Sequence, residues 1–159
     1  MKKLHLLLVE DDENDVLFLQ RAFKHAGIEN PLDVVRDGQQ AIDYLSATGP
    51  YADRARRPFP CLIILDLKLP QRTGMELLKW MRTQPELQCV PVIVHSGSSQ
   101  QSDVDKLYRL GANAFVVKPA SMEERIELAK HIKGFWLHFN EPPSACATAE
   151  ISEPVSKSA

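Results

Sequence analysis

Four aliphatic stretches of this sequence each run straight into side chains that can do chemistry. Leu4 to Val9 leads into Glu10, Asp11 and Asp12, and Cys61 to Leu65 leads into Asp66. Val90 to Val94 leads into His95 and Ser96, and Ala114 to Val117 leads into Lys118. If the four stretches are strands of one parallel sheet, carboxylates, a hydroxyl and an ammonium meet at the carboxyl-end rim, where open parallel sheets bind ligands. Clustered carboxylates raise one another's cost of ionising. A hard divalent cation with oxygen ligands relieves that repulsion, magnesium by preference with manganese able to substitute. Taken alone, Asp66 in LIILDLKLP is equally an Asp that opens a turn toward Pro70. The elements that carry the four stretches decide between these readings.

Aliphatic runs and helical patterns alternate along the chain, the grammar of a parallel sheet with crossover helices. The run Leu62 to Leu65 lacks polar alternation and reads as a strand covered on both faces. Val16, Leu19, Phe23 and Ala26 recur at helical spacing before Gly27, and Pro31 to Arg36 is a short second strand. Asp37 with Gln40, Thr73 with Glu76, and Ser121 with Glu124 have the form of capping boxes opening three further helices. Asp12 is best read as the cap of the first helix. A helix from about Ser102 to Leu110 is closed by Gly111, and the last helix carries Ile126, Ala129, Ile132 and Trp136. Thr48 to Pro60 reads as a long loop. From Glu141 onward the chain has three prolines, no aromatic residue and no periodicity. Residues 1–140 are thus expected to form one domain and residues 141–159 a disordered tail.

Composition narrows the function classes. The chain has 159 residues, 44% hydrophobic and 25% charged, ordinary for one globular domain. A net charge of -2 gives no reason to expect nucleic acid or an anionic membrane as partner. Cys61, Cys89 and Cys146 show no metal-ligand spacing, which fits a reducing cytoplasm. Acidic residues interrupt the first apolar run too early for a signal peptide, so neither export nor a membrane span is expected.

LLLVEDDEND, LIILDLKLP, VIVHSGSS and AFVVKP resemble, in order and separation, the four signature stretches of the receiver domain of two-component response regulators. The likeness spans about residues 3 to 138. It implies the flavodoxin-like doubly wound α/β fold with five strands in the order 2-1-3-4-5 and five helices. It also implies roles for individual residues. Asp66 aligns with the phosphoacceptor, and Glu10, Asp11, Asp66 and the backbone carbonyl of Lys68 with the metal site. Ser96 aligns with the switch hydroxyl, Lys118 with the phosphate-binding lysine, and Phe115 with the switch aromatic. Gly97 would leave room for the phosphoryl group, and the Lys118-Pro119 bond is expected to be cis by the same likeness. His95 alternates to the other side of the strand from Ser96 and is expected to be a partly exposed bystander.

The implied function is a stand-alone response regulator that takes a phosphoryl group from a histidine kinase and switches a partner surface, without turnover of an external substrate. Two alternatives differ in testable ways. A phosphohydrolase using an aspartyl phosphate would carry a second carboxylate two residues after the nucleophile, where this chain has Lys68. A pseudo-receiver binding module would have lost an acidic ligand, the acceptor or the lysine, all of which are present. The loop GPYADRARRPFP and the ending HIKGFWLHF resemble single-domain regulators that pair with phytochrome-type or other histidine kinases. Phe135, Trp136, Leu137 and Phe139 are apolar on more than one helix face. Either the long loop folds over them or they form a homodimer or kinase contact.

Overall fold

In the computed structural model, which describes residues 3–147, the two strands made of unbroken aliphatic runs are buried along their whole length. They are β1 (Leu6–Val9) and β3 (Leu62–Leu65). With β2 (Leu32–Val35), β4 (Val92–Ser96) and β5 (Ala114–Val117) they form one parallel sheet in the order β2-β1-β3-β4-β5. The edge strands β2 and β5 are less buried than the central ones, each having a neighbouring strand on one side only.

Successive side chains of a strand point to opposite faces, and the sheet sorts its apolar residues accordingly. Leu7, Val9, Ile63, Leu65, Val92 and Val94 face a layer made by α2 (Gly38–Leu45), α3 (Gly74–Thr83) and α4 (Gln101–Arg109). Leu6, Leu8, Leu62, Ile64 and Ile93 face α1 (Glu13–His25) and α5 (Met122–Ile132). The caps read from sequence are in place: Asp12, Asp37, Thr73 and Ser121 each accept a backbone N–H of the first helical turn. Register then positions the rim. Val9 is aligned with both Val35 and Leu65, so Glu10 and Asp66 leave the sheet side by side.

The loop from Thr48 to Pro60 is more structured than a bare connection. It contains a 3-10 turn at Gly49–Tyr51 and is pinned against α2. The buried Tyr44 hydroxyl donates to Asp33 at 2.7 Å, Arg57 pairs with the same carboxylate at 2.6 Å, and Arg54 donates to the Leu45 carbonyl while lying over the Tyr44 ring. Fastened there, the loop leaves Phe135 and Phe139 exposed, which removes it as their cover.

Helix α5 does not stop at Ile132. It continues through Lys133–Phe139 with the wider π pitch, closed by an i to i-5 bond from Asn140 N to the Phe135 carbonyl at 2.7 Å. Within the segment read as a tail, Ser144–Ala147 forms a helical turn, and Cys146 packs into the α1/α5 core with its Sγ 3.6 Å from the Pro60 carbonyl. Apolar contact under the sheet, invisible in a short polar segment's periodicity, holds it. The remainder of the expected tail, residues 148–159, lies outside the described residues. One expectation requires correction: the Lys118-Pro119 peptide is trans, not cis, and no cis bond occurs among the described residues. The intrinsic difference for an X-Pro bond is only about 0.5–1 kcal/mol, so local sequence does not settle the isomer.

Burial pushes the Cys61 thiol up to about 12 and the Cys146 thiol up to about 11, leaving both protonated at neutral pH. No helix among the described residues is long and apolar enough to cross a membrane.

Candidate metal centre at the rim of the sheet

The register of β1 and β3 brings Glu10, Asp11 and Asp66 together, with one oxygen from each lying within 4.8 Å of the others. Glu10 is 1% exposed and Asp66 5%, whereas Asp11 is exposed. Each buried carboxylate has one oxygen fixed by local backbone: Glu10 Oε1 accepts from Asp12 N at 3.1 Å, and Asp66 Oδ1 accepts from Leu67 N at 2.8 Å. The turn after β3 is tight because α3 begins directly behind it. Gly74 N donates to the Leu67 carbonyl at 3.0 Å, and a Cβ at Gly74 would collide with the Asp66 carbonyl oxygen. Only glycine permits that approach.

Lys118 enters from β5, whose end is tied to β4 by Lys118 N donating to the Ser96 carbonyl at 2.7 Å. Its Nζ lies 2.8 Å from Glu10 Oε2, 2.8 Å from Asp15 Oδ2 and 3.5 Å from Asp66 Oδ2. Burial alone would lower the Lys118 pKa, but the hydrogen bonds to Asp15 and Glu10 outweigh it and hold the ammonium above its ordinary range. Glu10 is pushed up to about 7, first by burial and then by the neighbouring Asp66 charge, against the opposing pull of Lys118. A carboxyl raised by burial and by a like charge is short of positive charge. The donor set is all hard oxygen, and the cluster opens onto a cleft of about 580 Å³ that Lys68 and Gly97 also line. These residues fit a hard divalent ion.

Ser96 is buried at the end of β4, its Oγ accepting from Ser98 N at 3.2 Å. A Cβ at Gly97 would meet nothing within 4 Å, so the space above Ser96 is open. Phe115, opposite Val94 across β4 and β5, is half-buried against the α2–α4 core. Asp12 serves as helix cap, accepting from Asn14 N and Asp15 N.

Two residues depart from the sequence reading. His95 is not partly exposed: at 3% exposure it is enclosed between β4, α1 and α5. Asp15 was not foreseen at all. It stands one helical turn past the cap, bonded to Lys118 and 3.5 Å from Arg125 of α5. An acid in the first turn of a helix is ordinarily explained by the helix dipole, so nothing local marks it.

Residues 6–130 match the family described as response regulator receiver domain. The chain belongs to that family. Among curated relatives of this receiver, the response regulator Rcp1 of Synechocystis sp. is 34% identical over 88% of this chain and 93% of its own length. Rcp1 has also been solved in a Mn(2+)-bound form, at 33% identity and a TM-score of 0.78 over 87% of this chain and 98% of that one. The phosphorylated cyanobacterial phytochrome response regulator RcpA superposes with a TM-score of 0.82 at 33% identity, covering 89% of this receiver and all but 1% of that chain, 99%. The bacteriophytochrome response regulator RtBRR is 40% identical, with a TM-score of 0.72 over 93% of this receiver and 89% of its own chain. This receiver is therefore related to phytochrome response regulators, and divalent metal binding is a family property that its acidic cluster fits.

Proposed function

We propose that this receiver accepts a phosphoryl group on Asp66 from the phosphohistidine of a kinase and thereby switches a partner-binding surface. The observation that carries the proposal is the placement of Asp66. Its Oδ1 is held by the Leu67 amide, while Oδ2 lies 3.5 Å from the Lys118 ammonium, and the carboxylate stands beside Glu10 and Asp11. Oδ2 is the attacking atom: an O–P bond forms, the N–P bond of the phosphohistidine breaks, and the imidazole leaves with its electron pair and takes up a proton. Glu10, Asp11, Asp66 and the Lys68 backbone carbonyl would hold magnesium, which when bound neutralises charge on the transferred phosphoryl oxygens. Lys118 supplies a second cation, and Ser96 donates a hydrogen bond to the product phosphoryl group.

The surface that responds comprises α4, β5 and α5, where Tyr108 and Val117 are half-exposed. Phe115 follows Ser96 in this scheme, its ring filling the space the hydroxyl vacates. Phe135 and Phe139, 55% and 75% exposed, with Trp136 and Leu137 behind them, provide an apolar contact for a second copy or the kinase. Residues 1–140 act as the receiver and 141–159 as its tail, in the cytoplasm. The kinase is of the phytochrome or a related type, the association carried by the relatives' names.

Acetyl phosphate with magnesium tests the core of this reading. Intact-protein mass spectrometry should register one added phosphoryl group in the wild type and none in Asp66→Asn. Persistence of the adduct in that variant would refute the assignment, and failure of the wild type to label would favour a binding module. Rapid turnover of small phosphomonoesters would instead indicate a phosphohydrolase.

A further inference from the structure

Behind the acidic cluster, between α1, β4 and α5, lies a second set of polar groups, largely shielded from solvent, that acceptance of a phosphoryl group does not require. Asp15 divides its two oxygens between two cations: Oδ2 is 2.8 Å from Lys118 Nζ and Oδ1 is 3.5 Å from Arg125 Nη2. Arg125 is 11% exposed along its side chain and lies over the Phe18 ring at 5.1 Å. Its buried Nη1 has no hydrogen-bond partner among the described residues, and neither has His95 Nε2. A donor sealed from water without a partner carries a desolvation penalty. One carboxylate thus serves two largely shielded cations, and only the lysine has it at short range.

Lys118 is meanwhile closer to Glu10 and Asp15 than to Asp66, its intended phosphoryl partner. A phosphoryl group on Asp66 brings more negative charge and three strong acceptor oxygens. It therefore competes with Asp15 for the ammonium. Resting on the reading that Asp66 is phosphorylated, we infer that Asp15 is a positioning residue that parks Lys118 away from Asp66 in the resting state. Capture of Lys118 by the phosphoryl group then hands Asp15 to Arg125, whose idle Nη1 becomes the second tine of a two-bond pair. Since Arg125 belongs to α5, the exchange carries the phosphorylation state to the helix that continues into Phe135–Phe139. This route runs on the α1/α5 side of the sheet, opposite the face of Ser96 and Phe115.

The two partners of Lys118's anchor should act with opposite sign, which a merely structural ion network does not require. In full-length protein with 15N-labelled lysine, the Lys118 Nζ resonance is recorded with and without beryllofluoride and magnesium, alongside acetyl phosphate labelling rates. Asp15→Asn should shift the resting resonance toward its beryllofluoride-bound position and speed labelling by about 3- to 30-fold, part of the factor a charged hydrogen bond can supply. Arg125→Met, which leaves Asp15 wholly to Lys118, should slow labelling. The double variant should follow Asp15→Asn, and Arg125→Lys should restore the wild-type rate. An unchanged resting resonance in Asp15→Asn, or an Arg125→Met effect undiminished in the double variant, overturns the inference. If Asp15→Asn does not fold, the sign of the Arg125→Met effect decides alone. A wild type that never labels would refute the phosphorylation reading separately, because the resting Lys118 resonance reports the parking without any phosphoryl group.

Discussion

Helices α1 and α4 both begin at the rim that carries the acidic cluster, yet they are anchored very differently. Helix α1 buries Val16, Leu19, Ala22 and Phe23, is capped by two hydrogen bonds from Asp12, and packs beside α5. Helix α4 buries Leu107 alone, and its capping position, Gln100, makes no side-chain bond to the first turn. Local stability follows buried apolar contact and satisfied ends. Helix α1 is therefore the fixed frame against which the site is built, and α4 is the element whose position a few kcal/mol can shift most readily. A switch needs both: a rigid cluster to define the chemical event and a weakly held helix to report it.

The largest effect that would test this contrast is truncation of the single anchor of α4. Leu107→Ala removes its only buried side chain and should cost about 2–5 kcal/mol, felt mainly by α4. Hydrogen exchange should quicken across 101–109 while α1 amides keep their protection. Equal acceleration in both helices would show that α4 is not an independent unit. Next in size is Ser96→Ala, which should still accept phosphate but lose most of the phosphorylation-dependent movement of α4. The hydrogen bond to a charged phosphoryl oxygen is worth about 1.5–3 kcal/mol. Amide spectra with beryllofluoride check this, and a full wild-type response would assign the switch to Lys118 and the metal instead.

A titratable group stands beside that frame. Burial, with the Lys118 and Arg125 charges beside it and Asp15 opposing, holds His95 down to about 4. An unfolded imidazole near 6.5 takes up a proton that the folded one refuses until about 4, so stability is lost as pH falls through that interval. At pH 5 the loss is about 2 kcal/mol. His95→Val should flatten the stability profile between pH 8 and pH 5 by that amount in urea titrations; an unchanged slope would mean that His95 is solvated. The smallest change sharpens the start of α1. Asp12→Ala removes both capping bonds and should lower stability by about 1 kcal/mol without altering metal affinity. A marked fall in magnesium binding by calorimetry would instead make Asp12 a member of the acidic cluster.

How much of this was legible beforehand varies by residue. Asp66, Glu10 and Lys118 could be found because each directly follows an aliphatic run, and a strand end in a parallel sheet is a predictable place. Ser96 and His95 were correctly read as pointing to opposite sides, since alternation is intrinsic to a strand. The burial of His95 was not legible, because it depends on α1 and α5 closing over that face. Asp15 and Arg125 were missed for the same reason. They lie 110 residues apart on two helices whose packing alone brings them together. The packing of Cys146 into the α1/α5 core was likewise not legible, since one apolar residue leaves no period in the sequence.

By itself the sequence determined what short-range patterns determine: strands from uninterrupted aliphatic runs, helix starts from Asp12, Asp37, Thr73 and Ser121, and the kinds of side chain that arrive at strand ends. Those are properties of local conformation and of hydrophobic periodicity, and they survive without knowledge of the neighbours. Only the tertiary structure decided which carboxylate holds Lys118, that His95 is sealed and neutral, that the loop after α2 leaves Phe135 and Phe139 bare, and that the last helix widens as it ends. These depend on register and helix packing. Electrostatic contacts act over a few ångströms between residues as far apart in sequence as Asp15 and Arg125, and no local pattern encodes that distance.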